Sequence, residues 1–336
     1  MCLATGHVVP MTAEEGRLLP ANEESPTNKW TSRRLISIAL LFIALPYLCF
    51  YIAQQWSVLL DAITRLRFPT LVGATALLVI MLVMKSAYHV LAIRRLGNEN
   101  NPSTSRIVAA YAASQVIRYL PGKVLGVVYE AARLADAVPA YRIVAANIVQ
   151  GLHTMALTLG VLAAAGVWIY SDHTALALGV LAMAFAALWA THRLHFIERC
   201  VTWAARRIPK LRDIPPLARP ARRGALPASL ILLAEWIPYY AFWCLLLPSG
   251  EASLQQAVLL GSCYAAAALF ANFAVVMPSG LIVREALFLW AGTQLSLDAP
   301  SLIVFGMISR LLFTLADATF APLSWAYDRL LSREHG

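Results

Sequence analysis

The chain has 336 residues, of which 60% are hydrophobic and 13% charged, and 27 basic against 18 acidic side chains give a formal charge of +9. A soluble domain is about one quarter charged, so this composition excludes an ordinary water-soluble globule and points to a polytopic helical membrane protein. No Walker loop, GxSxG or dinucleotide fingerprint is present, and the basic balance reads as loops facing anionic lipid rather than as a nucleic-acid surface.

Residues 1–34 hold Glu14, Glu15, Glu23 and Glu24 with three prolines and no continuous apolar run. They lack the core of a cleavable signal and read as a disordered cytoplasmic tail, the first span serving as the insertion signal. A crossing helix needs about 20 mostly apolar residues. The plain spans are 35–53, 69–93, 143–170, 174–191, 227–247 and 301–326. Two further apolar stretches, 107–137 and 257–296, are interrupted by Pro121 and Pro278. Proline has no N–H and its ring clashes with the preceding turn, so a helix stops or kinks there. In lipid the freed backbone groups persist only under a cover of protein or water. We read both stretches as re-entrant helix pairs, two short full crossings being the alternative.

Lys and Arg in short loops set orientation. Residues 192–226 carry nine of them, from Arg193 to Arg223, and fall on the cytoplasmic side. Their 196–208 part is amphipathic and suits a lipid surface. Lys29, Arg33, Arg34, Arg94, Arg95, Arg106, Arg329 and Arg333 then fall on the same side, which makes both termini cytoplasmic. Segments 171–173 and 248–256 fall outside and contain no Lys or Arg; Arg65 and Arg67 lie outside against the trend. The landmarks 69 and 227, Pro121 and Pro278, and 143 and 301 recur at offsets of 158, 157 and 158 (by subtraction). The predicted fold is therefore all-α: six full spans plus two proline-broken re-entrant pairs in an inverted-topology repeat. The repeats cover 35–170 and 171–330, the second holding the basic loop 192–226.

Ionisable residues inside a bilayer are functional candidates by default. Arg118, Lys123, Glu130 and Arg133 surround the first break, where Lys123 and Glu130 share a helix face and Glu130 and Arg133 are spaced to pair. Arg284 and Glu285 follow the second break. As neighbours they point about 100° apart and are expected to take different partners. Arg310 and Asp317 lie in the last span, Glu235 in 227–247, and Lys85 and His89 near the inner end of 69–93. Two readings compete. The charges either pair across the repeat and hold broken helices together, or they line a midplane site for an anionic headgroup, where helix N-termini and arginine suit phosphate. The expected substrate-binding set is Arg118, Lys123, Glu130, Arg284, Glu285 and Arg310, with the helix breaks at Pro121, Gly122, Pro278, Ser279 and Gly280. His192 and His195 read as surface residues of the basic loop, and His153 as an interhelical hydrogen bond. No metal, cofactor or nucleophile–base pair is indicated, so no enzyme activity is expected; an integral-membrane transferase with Glu130 or Glu285 as base is the weakest alternative.

Arg118-Tyr119-Leu120-Pro121-Gly122-Lys123 resembles the KYLPG element of the flippase-like transmembrane family, which includes the membrane domain of bacterial lysylphosphatidylglycerol synthase/flippases. Pro278-Ser279-Gly280-Leu281-Ile282-Val283-Arg284-Glu285-Ala286 resembles its PGGLGVREA element, with Ser279 in place of a glycine. Many members carry a Glu-Arg pair in the span after the first element, a place that Gln150-Gly151 occupies here. The resemblance implies translocation of an anionic phospholipid or a polyprenyl-linked glycan across the bacterial inner membrane. The alternative is a non-transporting scaffold whose basic loop docks a glycosyltransferase or another envelope biosynthesis protein.

Overall fold

The computed structural model describes residues 68–96, 102–117, 124–207, 224–247, 253–271, 283–295 and 299–334. Tail 1–34, predicted span 35–53, Arg118, Lys123, Pro121, Gly122, Pro278, Ser279 and Gly280 lie outside the described residues, as does 208–223 of the basic loop. Every regular element among the described residues is an α-helix. In chain order they are α1 (Phe68–Arg95), α2 (Thr104–Ile117), α3 (Leu125–Arg133), α4 (Ala140–Ser171), α5 (Thr174–Leu194), α6 (Phe196–Arg207), α7 (Ala225–Ala234), α8 (Trp236–Leu246), α9 (Leu254–Ala271), α10 (Val283–Gln294) and α11 (Ala299–Glu334).

Six helices are long and apolar enough to cross a membrane: α1, α4, α5, the α7–α8 unit over Ala225–Leu246, α9, and α11 over Ser301–Ser332. The chain is thus a multi-pass helical membrane protein. Five of these fall on predicted spans. The sixth is α9, the first arm of the second interrupted stretch, whose 18 residues include no charged side chain. Large apolar side chains such as Ile237, Trp290 and Leu311 point outward, as lipid-facing surface requires.

Local chemistry sets the joints. Asp172 (φ 54°) and His195 (φ 52°) adopt the left-handed conformation that ends α4 and α5. Within Ala225–Leu246, Pro238 offers no N–H and crowds the carbonyl four residues earlier. The helix is interrupted at Glu235, a joint we call the α7–α8 bend, and the next backbone bond, from Tyr239 N to Glu235 O, is long at 3.4 Å. The predicted span 227–247 is present as Ala225–Leu246, with this joint inside it.

Helices α2 and α3 run antiparallel. Arg106, at the start of α2, donates to Asp136 and to the Arg133 carbonyl, just past and at the end of α3. Gly126 lies so close to α2 that a Cβ would stand 2.6 Å from the Ser114 carbonyl oxygen. Helices α10 and α11 also pair antiparallel, with Phe288 against Gly306 and Glu285 bonded to Arg310. Across the bundle, α2 packs on α11, α9 on α4, and α1 on α8. One buried cluster gathers Leu78, Phe242, Trp243, Tyr264 and Phe288; a second gathers Tyr88, Ile107, Leu134, Ile143 and Leu232.

Polar bonds collect at one end, where Arg94 meets Thr104, Arg95 meets the His192 carbonyl, and Ser105 meets Asp328. At the far end of α4, Gln255 donates to the Ile169 carbonyl. Among the described residues, Arg94, Arg95 and Arg106 thus lie at one end of the bundle and 171–173 at the other.

Candidate functional site: a charged cavity between the helices

A cavity of about 430 Å³ lies among α1, α2, α4, the α7–α8 bend, α9, α10 and α11. Lys85 reaches it from α1, Gln115 from α2, and Thr154 and Thr158 from α4. Glu235, Trp236 and Tyr239 come from the bend, Tyr264 from α9, and Arg284 and Arg310 from α10 and α11. The remaining wall is apolar, from Met81 and Leu82 to Leu269 and Phe313.

Glu285 Oε1 organises the cationic wall. It accepts from Arg284 Nη2 at 3.2 Å and from Arg310 Nη1 at 3.0 Å, with about one fifth of each side chain exposed. The Arg284 guanidinium also lies over the Tyr264 ring at 4.8 Å. Adjacent on one helix, Arg284 and Glu285 were expected to part; instead their long side chains curl round and meet. Glu235, also in the lining, is 5% exposed, and its Oε2 has no hydrogen-bond partner among the described residues. Lys85, Arg284 and Arg310 line the cavity with Glu235, and counting Glu285, which is bonded to both arginines, one positive charge stays in surplus among the described residues. No group of three His, Cys, Asp or Glu able to hold a metal occurs among them.

Of the expected binding residues, the structure brings together Arg284, Glu285 and Arg310. Glu130 lies elsewhere. It is fully buried and does not line the cavity or pair with Arg133, which is exposed. His89 Nε2 meets its Oε1, and Asn147 Nδ2 donates to its Oε2 at 3.1 Å. Gln150 Nε2 donates to the Lys85 carbonyl, which fixes that amide so that its oxygen accepts from His89 Nδ1 at 2.7 Å. Gln150 Nε2 also donates to the Tyr111 hydroxyl, and Tyr111 stacks on His89. The pair resolves a buried carboxylate, which costs several kcal/mol when left unmatched.

No protein-family model, curated protein or solved structure matches the chain. The geometry therefore carries the functional argument.

His192, expected on the surface, is fully buried. Its Nδ1 donates to the Leu188 carbonyl, leaving Nε2 to accept from the Tyr88 hydroxyl at 3.0 Å. His153 Nδ1 donates to the Val149 carbonyl and lies 3.0 Å from the same hydroxyl. The expected interhelical bond of His153 is therefore present, through Tyr88, and the two imidazoles stack at 3.8 Å. At the polar end, the hydrogen bond from Arg106 holds the Asp136 carboxyl below its ordinary range, while burial pushes the Glu198 carboxyl up despite Arg95 at 3.9 Å. The charged cavity residues outside the expected set are Lys85 and Glu235, each an isolated charge in a long apolar run. Pro238, three residues past Glu235, was the sequence signal for an opening there.

Proposed function

We propose that this chain moves an anionic headgroup, of a phospholipid or a polyprenyl-linked glycan, across the bacterial inner membrane, and that it is a member of the flippase-like family it resembles. One observation carries the reading: the 430 Å³ cavity, reached by α1 and α2 from the first half and by α8 to α11 from the second, has a cationic wall and a positive surplus. A phosphate would meet Arg310, Arg284 and Lys85, while acyl or prenyl tails stay in lipid.

The inverted repeat belongs to the same proposal. The crosswise packing supports it, since α2 of the first half rests on α11 of the second while α9 of the second rests on α4 of the first. In each half the helix after the break carries a glutamate bonded to the next span, Glu130 to Asn147 and Glu285 to Arg310. On this reading α2–α3 is a re-entrant hairpin, the basic end is cytoplasmic, and rocking of one half on the other exposes the site alternately.

The test is reconstitution into proteoliposomes carrying fluorescent phosphatidylglycerol, with a labelled polyprenyl-phosphate glycan as a second arm. Translocation is expected for one of the two, and Lys85→Gln and Arg310→Gln should each lower its rate about tenfold, the loss of one charge-assisted contact. Equal rates in both variants would reject the assigned site.

A further inference from the structure

Glu235 has no role in gripping an anion, yet it stands in the same cavity. A buried carboxylate without a hydrogen-bond partner is costly, and this one sits at a proline-made bend with its Oε2 unpartnered among the described residues. Lys85 is a cation whose charge acts on it, but no ion pair within 4.0 Å joins them among the described residues. We propose, on the reading of the cavity as a headgroup site, that Glu235 takes up one proton when an anion occupies the cavity, so that the protein carries a proton together with its anionic substrate.

The argument is one of charge. With Glu235 ionised, an entering phosphate meets a second negative group across a low-dielectric space, where like charges repel strongly. Adding a proton from water to Glu235 Oε2 removes that repulsion and leaves Lys85, Arg284 and Arg310 to face the phosphate. Linkage makes the effect reciprocal: the anion favours the proton, and the proton favours the anion by the same factor. Other titratable groups surround the bend. Tyr88 comes from α1, His153 from α4, His192 from α5, Tyr239 from α8 itself, Tyr264 from α9, and Arg284, Glu285 and Arg310 from α10 and α11. The hydrogen bonds above engage His153 Nδ1 and both nitrogens of His192, Tyr239 donates to the Gly261 carbonyl, and Glu285 is held by two arginines. Glu235, the carboxylate in the cavity lining, lacks a cation within bonding distance among the described residues, whereas Glu285 beside it has two.

The test is calorimetric titration of the protein in neutral-lipid nanodiscs with glycerophosphoglycerol, a soluble phosphodiester, in two buffers of different ionisation enthalpy. The dependence of the heat on buffer reads the protons taken up. For the wild type, uptake approaching one proton is expected, with affinity weakening by up to about tenfold per pH unit as pH rises, the slope of one linked proton. Glu235→Gln, which mimics the protonated acid, should bind with no uptake and at an affinity independent of pH. Binding by the wild type without uptake overturns the coupling alone. Uptake that persists in Glu235→Gln and vanishes in Lys85→Gln also overturns it, by assigning the proton to the lysine. No binding at any pH overturns both the coupling and the headgroup reading. Where Glu235→Gln does not fold, Lys85→Gln is read beside the wild type: a pH slope that remains there supports the coupling, and one that vanishes overturns it.

Discussion

Replacing Glu285 with glutamine removes the carboxylate oxygen that Arg284 and Arg310 share among the described residues. Both guanidinium groups then lose the Glu285 carboxylate in a site that is mostly out of water. Each charge-assisted hydrogen bond is worth about 1.5–3 kcal/mol, and removing one partner from a buried ion cluster costs about 3–5 kcal/mol. With about one fifth of each side chain exposed, solvent screens part of this, and we expect a loss of about 3 kcal/mol. Arg310→Gln takes away one of the two bonds and leaves Glu285 with Arg284, so its cost should be smaller, about 1–2 kcal/mol. The double variant should lose less than the sum of the two, because the second change removes a charge that the first left unmatched. Unfolding by SDS in mixed micelles measures all three. A wall in which Arg310→Gln is the more damaging change, or in which Glu285→Gln stays within about 0.5 kcal/mol of the wild type, would refute this account of the triad.

Three further outcomes follow from the packing. Gly126→Ala should destabilise by about 1–3 kcal/mol, because the new Cβ meets the backbone carbonyl of Ser114 rather than a flexible side chain; hydrogen exchange should quicken across α2 and α3 alone. Tyr88→Phe should cost about 1–3 kcal/mol in the same unfolding assay, since it strips the hydroxyl that serves both buried histidines. Glu198→Gln tests pH linkage. Burial holds the Glu198 carboxyl above its ordinary value of 4.5, so the folded state keeps this proton longer than the unfolded chain and loses stability as pH rises through that range. The glutamine variant escapes that loss. Its thermal unfolding temperature should exceed the wild type's at pH 7 and equal it below pH 4.5.

The spans were legible because each is a long apolar run bounded by charge: 69–93 appears as Phe68–Arg95 and 174–191 as Thr174–Leu194. The bend at Glu235 was not, since the apolar run continues across it and only Pro238 marks it. His192 looked like part of the basic loop by its neighbours, yet α5 extends to Leu194 and turns the ring inward to Tyr88. Helical angles misled at Arg284 and Glu285, where side-chain length outreaches a 100° separation. The pairing of Glu130 with His89 spans 41 positions, and Lys85 and Glu235 share a cavity across 150 (235 − 85). Such contacts depend on how helices cross, which no local spacing encodes. Three of the six expected binding residues meet at the cavity because one of them, Arg310, lies on α11 facing the helix that carries the other two.

The most direct test of the central claim is a cryo-electron microscopy map of the protein in nanodiscs rich in phosphatidylglycerol. A headgroup site predicts phosphate-sized density inside the cavity, within hydrogen-bond distance of Arg310 and close to Lys85, with tail density leading out between the helices. A cavity holding only acyl chain, with every phosphate at the outer rim of the bundle, would contradict it.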